Sequence, residues 1–82
     1  MHDVEWKPSA TSNLAAICLE HPEHWIDIDA AEQAITYKLQ RQPLQSSQEV
    51  SEGLRRIICW PLVVYFSIDR NQIEIDAVGW IG

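Results

Sequence analysis

The alternation of apolar and polar residues predicts four extended segments and two helices. Within residues 2–7, Val4 and Trp6 alternate with polar neighbours, which is the period-two pattern of a half-buried strand. The last third of the chain shows three runs rich in β-branched and aromatic residues, at 54–60, 62–69 and 72–80. These runs are predicted to be the remaining strands.

Two segments repeat their apolar residues every three or four positions, as amphipathic helices do. The first helix is predicted over about residues 9–20, with Ser9 capping its free amides and Pro22 ending it. The second is predicted over 25–42 and ends before Pro43. The inner stripe of the first helix is Ala10, Leu14, Ile17 and Cys18. The inner stripe of the second is Trp25, Ile28, Ala31, Ile35 and Leu39.

The polar stretch 45–52 is predicted to be a loop that ends in a turn at Gly53. Pro61 marks a turn between strands, and residues 69–72 form a hairpin. In the strand 62–69 the residues predicted to face inward are Leu62, Val64, Phe66 and Ile68. In the strand 72–80 they are Ile73, Ile75 and Ala77, with Glu74 and Asp76 outward.

The element order is therefore β-α-α-β-β-β, an α+β class. It predicts two helices packed on one face of a mostly antiparallel four-stranded sheet. The length of 82 residues fits one domain spanning 1–82.

The excess of acidic over basic residues argues against two classes of binding partner. Twelve acidic and six basic residues give a formal net charge of −6. Sequence-independent binding of nucleic acid needs clustered cations, as does binding to anionic lipid, so neither free nucleic acid nor a membrane is an expected partner.

Cysteine usage and the N-terminal sequence point to a cytoplasmic protein. Cys18 and Cys59 are too far apart for a CxxC motif and are predicted to be buried free thiols. The N-terminal residues lack the apolar segment of a signal peptide, and no apolar run is long enough to span a membrane.

Two histidines stand three positions apart, His21 and His24. A zinc site needs three or four ligands, so solvated loop histidines are expected here, with no metal and no cofactor.

Four tryptophans are many for a chain of this length. Trp6 and Trp25 fit the predicted core. Trp60 and Trp80 lie at strand ends, where they either form an apolar patch for a partner protein or close the ends of a small core.

Four segments, in this order and spacing, match a known family. They are Val4–Ala10, Ala30–Leu44, Glu52–Ile57, and Pro61–Asp69 followed by Ile73–Val78. Together they make nearly the whole chain resemble the RelE/ParE (plasmid stabilisation) family of type II toxin–antitoxin toxins. The resemblance implies a cognate antitoxin that wraps the toxin. It also implies one of two activities, cleavage of messenger RNA on the ribosome by RelE-like members or poisoning of DNA gyrase by ParE-like members.

In RelE-like members, basic residues of the second and third strands and Arg, His or Tyr near the C-terminus carry out cleavage. By this resemblance Arg55 and Arg56 take the second-strand positions, and Tyr65 assists on the outer face. Adjacent strand residues point to opposite faces, so at most one of the two arginines belongs to such a site.

Other catalytic positions depart from the RelE pattern. The third-strand arginine position holds Val63. The C-terminal basic positions fall on Trp80 and Ile81, and the sequence ends at Gly82 without the tail that bears a catalytic tyrosine in some members. These departures favour a toxin that acts by protein binding. A ribosome-dependent endoribonuclease and a non-toxic interaction module are the alternatives.

Overall fold

The computed structural model describes all 82 residues, and its elements follow the predicted order with one addition. The elements are β1 (Asp3–Trp6), α1 (Pro8–Glu20), α2 (Trp25–Arg41), β2 (Gln48–Ser51), β3 (Leu54–Cys59), β4 (Leu62–Asp69) and β5 (Gln72–Trp80). A single 3-10 turn at Pro22–His24 joins the two helices.

The strands form one sheet in the order β1-β5-β4-β3-β2. β1 runs parallel to β5, and every other pairing is antiparallel. Both helices contribute to a single apolar core on one face of this sheet. The α+β class and the mostly antiparallel sheet are therefore confirmed, with five strands where four were predicted.

The core combines the predicted helix stripes with the predicted inner faces of the strands. Ile35 and Leu39 of α2 are completely buried, as are Leu62, Val64 and Phe66 of β4. Phe66 faces Ile75 across the β4–β5 ladder, and both side chains are fully buried. This register confirms the strand alternation. Trp6 packs against the same core, as predicted.

The additional strand is β2, and the prediction of a loop over 45–52 was wrong there. Residues 48–51 pair with β3 at the edge of the sheet. All four are exposed, so neither face is apolar and no alternation marks them as a strand. The predicted turn at Gly53 is present, with a φ of 78° that glycine adopts without strain.

A bulge in β5 overturns the predicted inward position of Ala77. Tyr65 pairs with Ala77 while Phe66 pairs with Ile75, so Asp76 is an extra residue in β5. The extra residue moves Ala77 to the outer face and brings Val78 inward, where it is 7% exposed.

Two helix-end predictions were also wrong. Ser9 does not cap α1. The N-cap is Lys7, and the Ser9 hydroxyl donates to the carbonyl of Asp76 at 2.8 Å. Trp25 is 57% exposed, because it begins α2 at the junction with α1, where its indole Nε1 donates to the carbonyl of Cys18 at 2.7 Å.

The cysteines are free, as predicted. Cys18 and Cys59 are only partly buried, where full burial was expected. Neither α1 nor α2 has the length and apolar character needed to cross a bilayer.

Candidate functional site

The two candidate arginines of β3 lie on opposite faces of the sheet. Arg55 stands opposite Phe66 in the β3–β4 ladder, on the side covered by the helices. Arg56 stands opposite Tyr65, on the side that no helix covers. Only Arg56 therefore shares a face with Tyr65. The sequence left open which arginine this would be.

Arg55 anchors the segment between α2 and β2. Its Nε donates to the hydroxyl of Ser47 at 2.8 Å, and one terminal nitrogen donates to the carbonyl of Ser47 at 3.1 Å. The same nitrogen lies 3.4 Å from the carbonyl of Leu44. This side chain is committed to holding a loop, and it lies at the wall of a cleft on the helix side of the sheet.

Arg56 is less firmly held. Its terminal nitrogen is 3.5 Å from the amide oxygen of Gln48, and its Nε is buried with no hydrogen-bond partner. Its neighbour Tyr65 is partly buried. Val63, at the third-strand arginine position, is 8% exposed and supplies no charge. The outer face thus brings together one arginine and one tyrosine.

The far end of the outer face is acidic. The ammonium of Lys7 lies 3.5 Å from the carboxylate of Glu74 and 3.6 Å from that of Asp76. These two carboxylates raise the pKa of Lys7 above its ordinary value, through their charge first and their hydrogen bonds second. Lys7 is therefore neutralised locally and adds no free cation to the face.

The two strand-end tryptophans meet the two loop histidines, an arrangement that the sequence did not predict. The rings of His21 and Trp80 stack with centroids 3.7 Å apart and planes 8° from parallel. His24 contacts Trp60 edge to face at 5.7 Å and lies 5.3 Å from Trp80. The expectation of solvated histidines was wrong, because the connection between the helices packs against the end of the sheet. The sequence carried one signal for this contact. Two predicted turns, His21–His24 and Trp60–Pro61, each contain large ring side chains.

The histidines also have acidic neighbours. His24 Nδ1 lies 3.0 Å from a carboxylate oxygen of Asp27. Glu23 lies 3.8 Å from His21 and 3.9 Å from His24. No group of three or more potential metal ligands is present.

Trp60 and Trp80 differ in exposure. Trp80 packs against the core and so closes one end of it. Trp60 is 53% exposed, and Ile58 is exposed to the same degree. Ile81, whose amide donates to the carbonyl of Pro61 at 2.9 Å, is 45% exposed. Ile58, Trp60 and Ile81 are called the Trp60 patch below. Exposed apolar groups of this kind are suited to binding a partner protein.

Comparison with known proteins finds similarity at the level of structure. No protein-family model matches the sequence, and no curated protein matches it. A chain of the toxin–antitoxin complex RelBE2 from Mycobacterium tuberculosis is 18% identical, with a TM-score of 0.76 over 96% of each chain. A chain of the chromosomal ParDE TA system from P. aeruginosa is 22% identical, with a TM-score of 0.76 over 100% of this chain and 98% of that one. The protein therefore has the fold of these RelE/ParE-type structures over its full length.

Proposed function

We propose that this protein is the toxin component of a type II toxin–antitoxin system and acts by binding a target protein. The fold supports the toxin assignment, because the solved structures that share it come from toxin–antitoxin complexes. Its partner is then a cognate antitoxin. DNA gyrase is the target that the ParE resemblance implies.

One observation carries the choice of protein binding over RNA cleavage, namely the separation of the two arginines. Cleavage of RNA requires several groups that stabilise charge on the phosphate and transfer protons around one scissile bond. Here Arg55 faces the helices, and Arg56 is the sole arginine beside Tyr65. Lys7, at the far end of this face, is held by two carboxylates. The outer face lacks the charge that a transition-state phosphate needs.

The Trp60 patch is the surface that would carry out protein binding. Large aromatic side chains dominate the energetics of protein interfaces when a partner covers them. Trp60 is half exposed and one edge of its ring system contacts His24, which restricts its rotation and lowers the entropy lost when a partner covers it. We assign target or antitoxin binding to this patch.

A ribosome-dependent endoribonuclease is the second candidate. The observation that favours it is the direct pairing of Arg56 with Tyr65, together with the unpartnered Nε of Arg56. In that case Arg56 would contact the phosphate and Tyr65 would assist proton transfer.

Induced expression in bacteria separates these functions. Protein binding predicts growth arrest without cuts at ribosomal A-site codons, as read by primer extension on a translated message. The arrest persists in Arg56→Gln and Tyr65→Phe and is lost in Trp60→Ala. Val50→Ala is the control, since Val50 is apolar, 47% exposed and lies on β2 beside the start of β3, whereas Trp60 follows the end of β3. If a small reading frame adjoins the gene, its co-expression is expected to relieve the arrest.

Two results would overturn the proposal. Reproducible A-site cuts that disappear in Tyr65→Phe identify the endoribonuclease. Normal growth during expression of the folded protein identifies a non-toxic interaction module.

A further inference from the structure

Three of the six cationic side chains of this acidic protein surround one cleft. The cleft has a volume of about 550 Å³ and opens where α2 ends. Arg41 comes from the last turn of α2, Arg55 from β3 and Arg70 from the β4–β5 turn. The other three cations, Lys7, Lys38 and Arg56, do not line it.

None of these guanidinium groups forms a salt bridge. The salt bridges of the molecule involve Lys7 and two histidines, and none involves an arginine. Glu49 also lines the cleft, yet it forms no ion pair with Arg55, its cross-strand neighbour. Three arginines and one glutamate leave a local formal charge of about +2.

Two of the guanidinium groups are positioned by the fold. Hydrogen bonds to Ser47 fix Arg55. Arg41 lies over the ring of Tyr37, 4.0 Å from its centroid. Stacking uses the face of the guanidinium, so apart from Nη1, which donates to the side-chain oxygen of Gln40 at 3.4 Å, the N–H groups at its edge remain able to donate. Arg70 occupies the turn with a φ of 59° and makes no side-chain hydrogen bond. The unused donors are those of Arg70, most of those of Arg41, and Nη1 of Arg55, and together they point to an anion.

We infer that this cleft binds a phosphate monoester of nucleotide size. A monoester carries about −1.5 to −2 charges at neutral pH, which matches the local charge, whereas a single carboxylate would leave cations uncompensated. Guanidinium forks bind phosphate oxygens in pairs. The cleft volume lies within the usual range for small-molecule sites.

The apolar part of the lining suits the remainder of such a ligand. Leu44 is 60% exposed and Ile68 is partly buried, and both line the cleft beside Pro43. They offer an apolar surface to a nucleobase while the arginines hold the phosphate. A long polyanion is disfavoured, since the chain beyond the cleft is acidic. The site is separate from the Arg56–Tyr65 pair and does not depend on the toxin assignment.

Isothermal titration with adenosine 5′-monophosphate tests the inference on the intact chain. Saturable binding is expected for the monophosphate, with adenosine and glutamate binding at least about tenfold more weakly, because each lacks the dianionic phosphate. Arg41→Gln and Arg70→Gln each weaken binding by about tenfold or more. Both residues are exposed, so the variants are expected to fold.

Arg56→Gln is the matched control. It removes the same charge from β3, outside the cleft, and leaves the affinity unchanged. Absence of binding up to about 10 mM monophosphate overturns the inference. Equal weakening by Arg56→Gln also overturns it, because the effect would then be one of total charge. Glutamate or an acidic peptide binding as tightly as the monophosphate would identify a carboxylate site instead.

Discussion

Two isoleucines of α2 differ completely in surroundings. Ile35 is fully buried against the sheet, whereas Ile26 is 86% exposed. Removing one methyl group from a close-packed site costs transfer energy and leaves a small void, whereas at an exposed site neither term applies. Removing one methyl group is therefore expected to lower stability at Ile35 and to have little effect at Ile26.

Ile35→Val is expected to lower the free energy of unfolding by about 0.5–1.5 kcal/mol. Ile26→Val is expected to change it by less than about 0.5 kcal/mol. Urea unfolding followed by circular dichroism measures both. Equal losses in the two variants would contradict the assigned burial.

Lys7 gives a prediction about alkaline pH. Glu74 and Asp76 raise its pKa in the folded state above the ordinary value of an unfolded lysine. A raised pKa means that the contribution to stability is fully present below the unfolded pKa of Lys7 and is lost as pH rises through the folded one. The ion pairs are exposed, so salt screens them.

Lys7→Met is therefore expected to lower the thermal midpoint at neutral pH. The difference from the parent protein stays constant between about pH 6 and 9 and closes at higher pH, as Lys7 of the parent loses its proton. It also shrinks in about 1 M salt. A difference that persists at strongly alkaline pH would show that lost packing, not charge, is responsible.

At the scale of elements, α1 supports the irregular part of β5. The hydroxyl of Ser9 donates to the carbonyl of Asp76, and the side-chain oxygen of Asn13 accepts from the amide of Val78 at 3.1 Å. The first bond is made by the extra residue of the bulge itself, and the second by the amide two residues later. Backbone groups that leave a ladder at a bulge need other partners, and this helix provides them.

Asn13→Ala removes the acceptor of the Val78 amide and is expected to cost about 1–3 kcal/mol of unfolding free energy. Ser12→Ala is the control on the same helix, because Ser12 is exposed, makes no side-chain bond, and should change stability by less than about 0.5 kcal/mol. Hydrogen exchange at the Val78 amide should accelerate only in Asn13→Ala. Unchanged exchange there would show that the bond is not formed.

At the scale of the whole molecule, the distribution of basic and acidic side chains determines whether a polyanion such as RNA is attracted. Lys7 is paired with carboxylates and three arginines surround one cleft, so no extended basic surface remains among the six cations. Non-specific binding to nucleic acid depends on many simultaneous phosphate contacts.

The protein is therefore expected not to shift a single-stranded RNA of about 30 nucleotides at about 0.15 M salt. Electrophoretic mobility measures this, and a known basic RNA-binding protein provides the positive control. A shift whose affinity falls steeply with salt would contradict the expectation.

Local pattern alone determined most of the fold. The inner stripe of α2 and the alternation in β4 follow from periodicity, because a helix or strand with one apolar face has only one way to bury it. The turn at Gly53 follows from its backbone freedom. Residues 48–51 escaped prediction because an exposed edge strand is specified by its neighbour's hydrogen bonds and not by its own side chains.

Only the tertiary structure decided what the functional residues face. The pattern required Arg55 and Arg56 to diverge, but the direction of each depends on the register of β3 against β4. The bulge at Asp76 reversed the inward position of Ala77 for the same reason, since one inserted residue exchanges the two faces of a strand. The contact of His21 with Trp80 and the convergence of Arg41, Arg55 and Arg70 join residues far apart in sequence. Such contacts produce no periodic pattern in the sequence, because they depend on how helices, strands and turns pack together and not on how any one of them forms.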